Sequence, residues 1–161
     1  MKQFLALSIV FLLTSCAQVQ EKSNDDWSKE VVIKEVIQMF DDYHHDIEAQ
    51  GLTAEFEYLD SSDDFFWVPP GYNSTLSYDS VRLILEKNAL AFTEVKFSWE
   101  TLIVLPLTDQ IATYSGIVIG AMKDTAGVES PVRIIESGTV IKREDGWKLL
   151  CGQSATLPGD P

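Results

Sequence analysis

The run Tyr43-His44-His45-Asp46-Ile47-Glu48 holds both histidines of the chain beside acidic side chains, the residue types that ligate metals or carry protons. On a helix, His44 and Glu48 stand four apart, share a face and could hold one ion together. His45 points about 100° away around the same helix, so the adjacent histidines cannot both reach that ion. With no third ligand in sight, a solvated helical face is expected here, and no metal. Cys151 lies in the apolar run Leu149-Leu150-Cys151-Gly152. A nucleophilic cysteine needs a histidine or cation to lower its pKa, and both histidines are distant in sequence, so Cys151 reads as a small buried hydrophobe. Glu136 and Arg133 fall on one β-rich run at opposite parity, so at most one of them faces inward. A buried Glu136 would have a raised pKa and could act as a base. The commoner arrangement, an outward Glu136 beside a basic neighbour, is the one expected.

Two further chemistries sit at the N-terminal end and in one loop. Phe4 to Leu13 is almost unbroken apolar sequence behind Met1-Lys2, with Ser8 its one polar residue. Such a run is too short to cross a bilayer, which takes about 20 residues, and it suits the apolar core of a secretory signal. It ends in Leu13-Thr14-Ser15-Cys16, which resembles the lipobox of bacterial lipoprotein precursors: Leu, two small residues, then the cysteine whose thiol takes the lipid. The resemblance implies a signal peptide over residues 1–15, lipidation at Cys16, and a cell-envelope protein held by its acyl chains. Ala17 is not the aspartate that favours inner-membrane retention, so the outer membrane is expected if the organism has one. Asn73-Ser74-Thr75 matches a glycosylation sequon, which is idle in a bacterial lipoprotein.

Composition narrows the partners. The chain has 161 residues, 45% hydrophobic and 23% charged, with formal net charge −13. One globular domain is the natural count. Residues 21–64 carry fourteen Asp and Glu against three Lys and Arg, while residues 65–161 carry eleven against eight. This field disfavours nucleic acid and anionic lipid headgroups, both of which are held by Lys and Arg. With Cys16 acylated, Cys151 has no partner for an internal disulfide.

The elements that must position these residues follow from periodicity. Residues 16–26 are polar and read as a flexible tether, and residues 27–161 form the domain. From Trp27, with Asp26 or Ser28 as the cap, Val32, Val36, Met39, Phe40, Tyr43 and Ile47 recur at helical spacing up to Gly51. Thr53 to Leu59 predicts a short second helix and Phe65 to Val68 a short strand. A third helix runs from Ser77 or Asp79 to about Ala91. The period then changes to that of strands: Val95 to Trp99, Thr101 to Leu107, Ile111 to Met122, Val132 to Arg143 and Trp147 to Leu157. Asp145-Gly146 marks a tight hairpin between the last two. Helices first and a meandering antiparallel sheet last is an α+β arrangement.

Together with Ala112-Thr113-Tyr114-Ser115-Gly116 and the stretch Ser137-Gly138-Thr139-Val140-Ile141-Lys142-Arg143-Glu144-Asp145-Gly146-Trp147-Lys148-Leu149-Leu150, this order resembles the nuclear-transport-factor-two-like (SnoaL-like) superfamily over residues 27–157. The resemblance implies three N-terminal helices packed in the concave face of a strongly curved antiparallel sheet, a cone that in many members holds a ligand. Members often carry His or Gln where Gln153 falls. Alternation gives Trp147, Leu149, Cys151, Gln153 and Ala155 one face, Ser137, Thr139 and Ile141 another, and Ala112, Tyr114 and Gly116 a third. The expected ligand-binding residues are therefore Tyr114, Gln153 and Thr139, with aromatic walls from Trp67 and Trp99 and also Tyr72.

These faces show no carboxylate–histidine pair, so no catalytic residue and no cofactor are assigned. The expected function is a non-catalytic cone binding a small, largely apolar molecule. One alternative is a SnoaL-like enzyme moving protons as an isomerase, cyclase or dehydratase. It would need a buried Asp, Glu or His with a shifted pKa beside Tyr114 or Gln153. Another is an interaction module that forms a homodimer through the sheet.

Overall fold

The computed structural model describes residues 27–158; the expected signal segment, Cys16 and the tether lie outside this range. Helix α1 spans Lys29–Gln50, and Ser28 caps it by accepting a hydrogen bond at Oγ from the Val31 amide at 3.4 Å. Its buried stripe is Val32, Val36, Met39, Phe40, His44 and Ile47. Gly51 ends the helix at φ 89°, in the left-handed region that favours glycine. A 3-10 helix, Leu52–Tyr58, follows, then β1 (Phe66–Val68) and α2 (Tyr78–Ala89). Four long strands complete the chain: β2 (Phe92–Pro106), β3 (Ile111–Asp124), β4 (Glu129–Arg143) and β5 (Gly146–Thr156).

The sheet has the order β1-β5-β4-β3-β2. The four long strands pair antiparallel, while β1 joins β5 in parallel, so the sheet is mixed where a purely antiparallel one was expected. The two expected runs Val95–Trp99 and Thr101–Leu107 form one strand, interrupted only by a register shift at Trp99/Thr101. A second shift separates Thr139, which pairs with Cys151, from Val140, which pairs with Leu149. Leu150 is thus an extra residue, a β-bulge that bends the strand and reverses its parity.

Close approach of aromatic rings to glycines deepens the hollow. A Cβ on Gly152 would meet Trp67 Cζ3 at 2.5 Å, and one on Gly116 would meet Trp99 Cε3 at 2.9 Å. Both rings press against backbone that only glycine leaves bare. The helices fill the concave side, where Phe40 is fully buried with its ring 4.6 Å from that of Tyr114 and 5.1 Å from that of Trp99. The closing hairpin is fastened to α1, since Lys142 Nζ and Trp147 Nε1 both donate to Glu35 Oε2, at 2.7 and 2.9 Å.

Candidate functional site

Between the sheet and the helices lies a cavity of about 210 Å3. Its walls are mostly apolar: Leu52, Leu59, Trp67, Val81, Leu85, Phe97, Val118, Ile134 and Leu149. Pro70 and Asn88 are exposed and mark the mouth. A larger depression of about 700 Å3 lies on the surface between α1 and the closing hairpin, but open charged side chains such as Lys34, Asp42 and Asp145 border it. The two carboxyls that burial raises, Glu55 and Glu136, belong to the smaller, enclosed space.

Glu136 projects into that space from β4, on the inward parity that it shares with Ile134 and the fully buried Val140. The Tyr114 hydroxyl donates to its Oε1 at 2.6 Å. Burial pushes the Glu136 carboxyl up from 4.5 to about 7, against the opposing effect of the Tyr114 hydrogen bond. The same burial, with the charge of Glu136 beside it, holds Tyr114 well above its usual 10, so the phenol keeps its proton.

Glu55 enters from the 3-10 helix. At three residues per turn, Leu52 and Glu55 stand one above the other, and both line the cavity. The helix is held in place by Tyr58, whose hydroxyl donates to Asp46 Oδ2 at 2.5 Å, and by Lys148, which donates to the Glu57 carbonyl at 2.5 Å. Burial raises Glu55 to about 7, the neighbouring Tyr43 phenol lowers it, and the Glu136 charge raises it further. Both glutamates keep some accessible surface because they border the cavity. His44 completes the polar lining. It is 8% exposed, its ring 5.7 Å from that of Trp99, and burial lowers its pKa from 6.5 to about 4, so at neutral pH it is uncharged.

The site is thus two carboxyls poised near neutrality, each beside a tyrosine, in an apolar chamber. Carboxyls in this state can accept and return a proton at physiological pH, which solvated carboxylates do poorly.

No protein-family model and no curated protein sequence matches the chain. Solved structures do. A nuclear transport factor 2 (NTF2-like) superfamily protein from Salmonella enterica serovar Typhimurium superposes with TM-score 0.70 at 11% identity, covering 83% of this chain and 96% of that one. A candidate scytalone dehydratase from Novosphingobium aromaticivorans gives 0.70 at 14% identity, over 80% and 86%. A ketosteroid isomerase-like protein from Erwinia carotovora gives 0.62 at 14% identity, over 82% and 99%. The chain has the NTF2-like fold.

Within this NTF2-like cone the residues singled out from the sequence are dispersed. Tyr114 points inward and reaches Glu136. Trp67 lines the cavity, its Nε1 donating to Ser154 Oγ at 3.4 Å. Trp99 belongs to the core beneath Phe40 and Tyr114, with its Nε1 buried and unpartnered. Gln153 and Thr139 do not reach the cavity: they stand on the outer face with Thr113 and Ser137, because the Leu150 bulge turns Ser154 inward in place of Gln153. Tyr72 is 45% exposed. The outward ion pair expected for Glu136 is replaced by the inward bond to Tyr114, while Arg133 pairs outside with Glu100 at 2.9 Å. The helical face expected to be solvated at His44 is buried, whereas Glu48 bonds Lys96 at the surface at 3.2 Å. Glu55 carried no signal in sequence beyond being one acid among many.

Proposed function

We propose that this protein binds a small, largely apolar molecule in the NTF2-like cone and moves a proton on it, with Glu136 as the base and Tyr114 as the group that orients it. The observation that carries this reading is the Tyr114–Glu136 hydrogen bond inside the cavity, with the carboxyl raised to about 7. A carboxylate stripped of water in an apolar chamber is a stronger base than one in solution. The cavity of about 210 Å3 suits one substituted ring, since a cavity of roughly 150 Å3 already holds benzene. A carrier without chemistry would use the same cavity.

The two readings separate on a nitrobenzisoxazole, a neutral bicycle that opens when a base removes a single ring proton. The proposal expects the full chain to accelerate opening well above the same concentration of acetate, with a rate that climbs as pH passes about 7. Glu136→Gln should lose that acceleration. An unaccelerated reaction on a compound shown to bind would leave a carrier.

The site sits, in this proposal, on a protein held at an envelope membrane through Cys16. A second reading concerns the outer face of the sheet, where Ile103 is 72%, Leu105 55% and Ile135 44% exposed. A face of this kind supports a homodimer through the sheet. Sedimentation across a hundredfold range of concentration would show a monomer throughout if that pairing does not form.

A further inference from the structure

The cavity that encloses two carboxyls offers them no positive charge. Among the described residues no lysine or arginine lines it. Seven basic side chains are engaged elsewhere: Arg82 with Glu86, Lys96 with Glu48, Lys123 with Glu94, Arg133 with Glu100, Lys142 with Glu35, Arg143 with Asp60 and Lys148 with Asp145, while Lys29, Lys34 and Lys87 stand exposed to solvent. His44, the one other basic group at the cavity, is held neutral by burial. The two glutamates also differ from one another. Glu136 Oε1 already accepts the Tyr114 hydroxyl at 2.6 Å, whereas Glu55 meets the Tyr43 phenol and the repelling charge of Glu136. The aromatic side chains of Trp67, Tyr43 and Phe97 border the same space, and such rings attract a cation.

Resting on the reading of this cavity as a ligand site, we propose that its ligands are small organic amines, bound as ammonium ions with the charge on Glu55. The enclosed volume admits one ring with a short aminoalkyl arm. A protonated amine supplies the cation that the lining lacks, and Glu136 with Tyr114 stays free for proton transfer. An anion of the same shape would meet two carboxyls and no counter-charge, which opposes its entry. The other titratable groups facing the pair are Tyr43 and His44 from α1 and Tyr114 from β3, all uncharged at neutral pH.

Calorimetric titration of the full chain with benzylamine, benzyl alcohol and benzoate tests this, because the three share a ring and differ in charge. At pH 8 benzylamine should bind about tenfold to a hundredfold tighter than benzyl alcohol, the range of one charge-assisted hydrogen bond, and benzoate should bind weakest. Benzylamine affinity should fall by up to about tenfold per pH unit below 7, as the carboxyl regains its proton. Glu55→Gln should bring benzylamine down to the affinity of benzyl alcohol on the same variant, with a thermal melt confirming the fold. Equal binding of amine and alcohol overturns charge selection and leaves the pocket standing. Loss of the preference in Glu136→Gln but not in Glu55→Gln overturns the assignment to Glu55. Failure of all three to bind overturns both the amine class and the pocket.

Discussion

Replacing Glu136 by glutamine should make the protein more stable at alkaline pH while removing its base. The carboxyl rises from 4.5 to about 7 in the folded state, so the native protein holds this proton more tightly than the unfolded chain does. A raised acid contributes no penalty below about pH 4.5. Its cost grows as pH climbs through the interval, because the unfolded chain sheds the proton first, and is complete above about 7. About 2.5 pH units at 1.36 kcal/mol each gives roughly 3 kcal/mol lost by pH 8. Glutamine has the same shape, keeps an oxygen for the Tyr114 hydroxyl and carries no charge, so this loss should vanish. The gain should be somewhat larger because the Glu136 charge also raises Glu55. Melting temperatures of the two proteins should coincide near pH 4.5 and separate to about 10 °C by pH 8, the variant melting higher. Coincident melts at both pH values, or a variant that melts lower at pH 8, would refute the view of Glu136 as a buried acid under strain.

Two further outcomes follow from neighbouring groups. His44 has a folded pKa lowered to about 4, so stability should be lost as pH falls from 6.5 toward 4, where the unfolded chain takes up a proton that the native state refuses; His44→Leu should flatten that acid limb in circular dichroism melts and leave pH 8 unchanged. Gly152→Val should drive a Cβ against both the Ser137 carbonyl oxygen and the Trp67 ring, each 2.5 Å away, destabilising the fold by about 1–3 kcal/mol and changing the Trp67 emission, whereas an unchanged melting curve would contradict this close packing.

The helices and strands were legible because each carries its own period: the α1 stripe from Val32 to Ile47 needs no knowledge of the rest of the molecule. The resemblance drawn from the Asp145-Gly146-Trp147 hairpin, with helices before strands, led to the cone that the structure has. What could not be read was which of two alternating faces meets the helices. On β3, Ala112, Tyr114 and Gly116 pointed as alternation said. On β4 the polar pair Ser137 and Thr139 drew the pocket to the outer side, although Ile134, Glu136, Gly138 and Val140 spell an apolar face with one acid in it. That lone acid was the available signal. Beyond Leu149 alternation failed outright, because a bulge leaves no mark in a run of ordinary residues. Glu55 was hidden for another reason: its direction depends on a 3-10 winding, and Thr53 to Leu59 reads equally as an α-turn.

The inserted residue at Leu150 also means that the interior of this cone is addressed by strand register as well as by side-chain identity. Beyond that point every residue of β5 owes its side of the sheet to Leu150 staying out of the ladder. Removing Leu150 would delete the bulge and leave Cys151, Gly152, Gln153 and Ser154 paired as they are, whereas drawing Leu150 into the ladder opposite Thr139 would bring Gln153 to the cavity wall and take Ser154 from Trp67. A lineage could therefore lose this one residue, straighten the strand and keep the same lining, whereas closing the bulge around the same letters would exchange it.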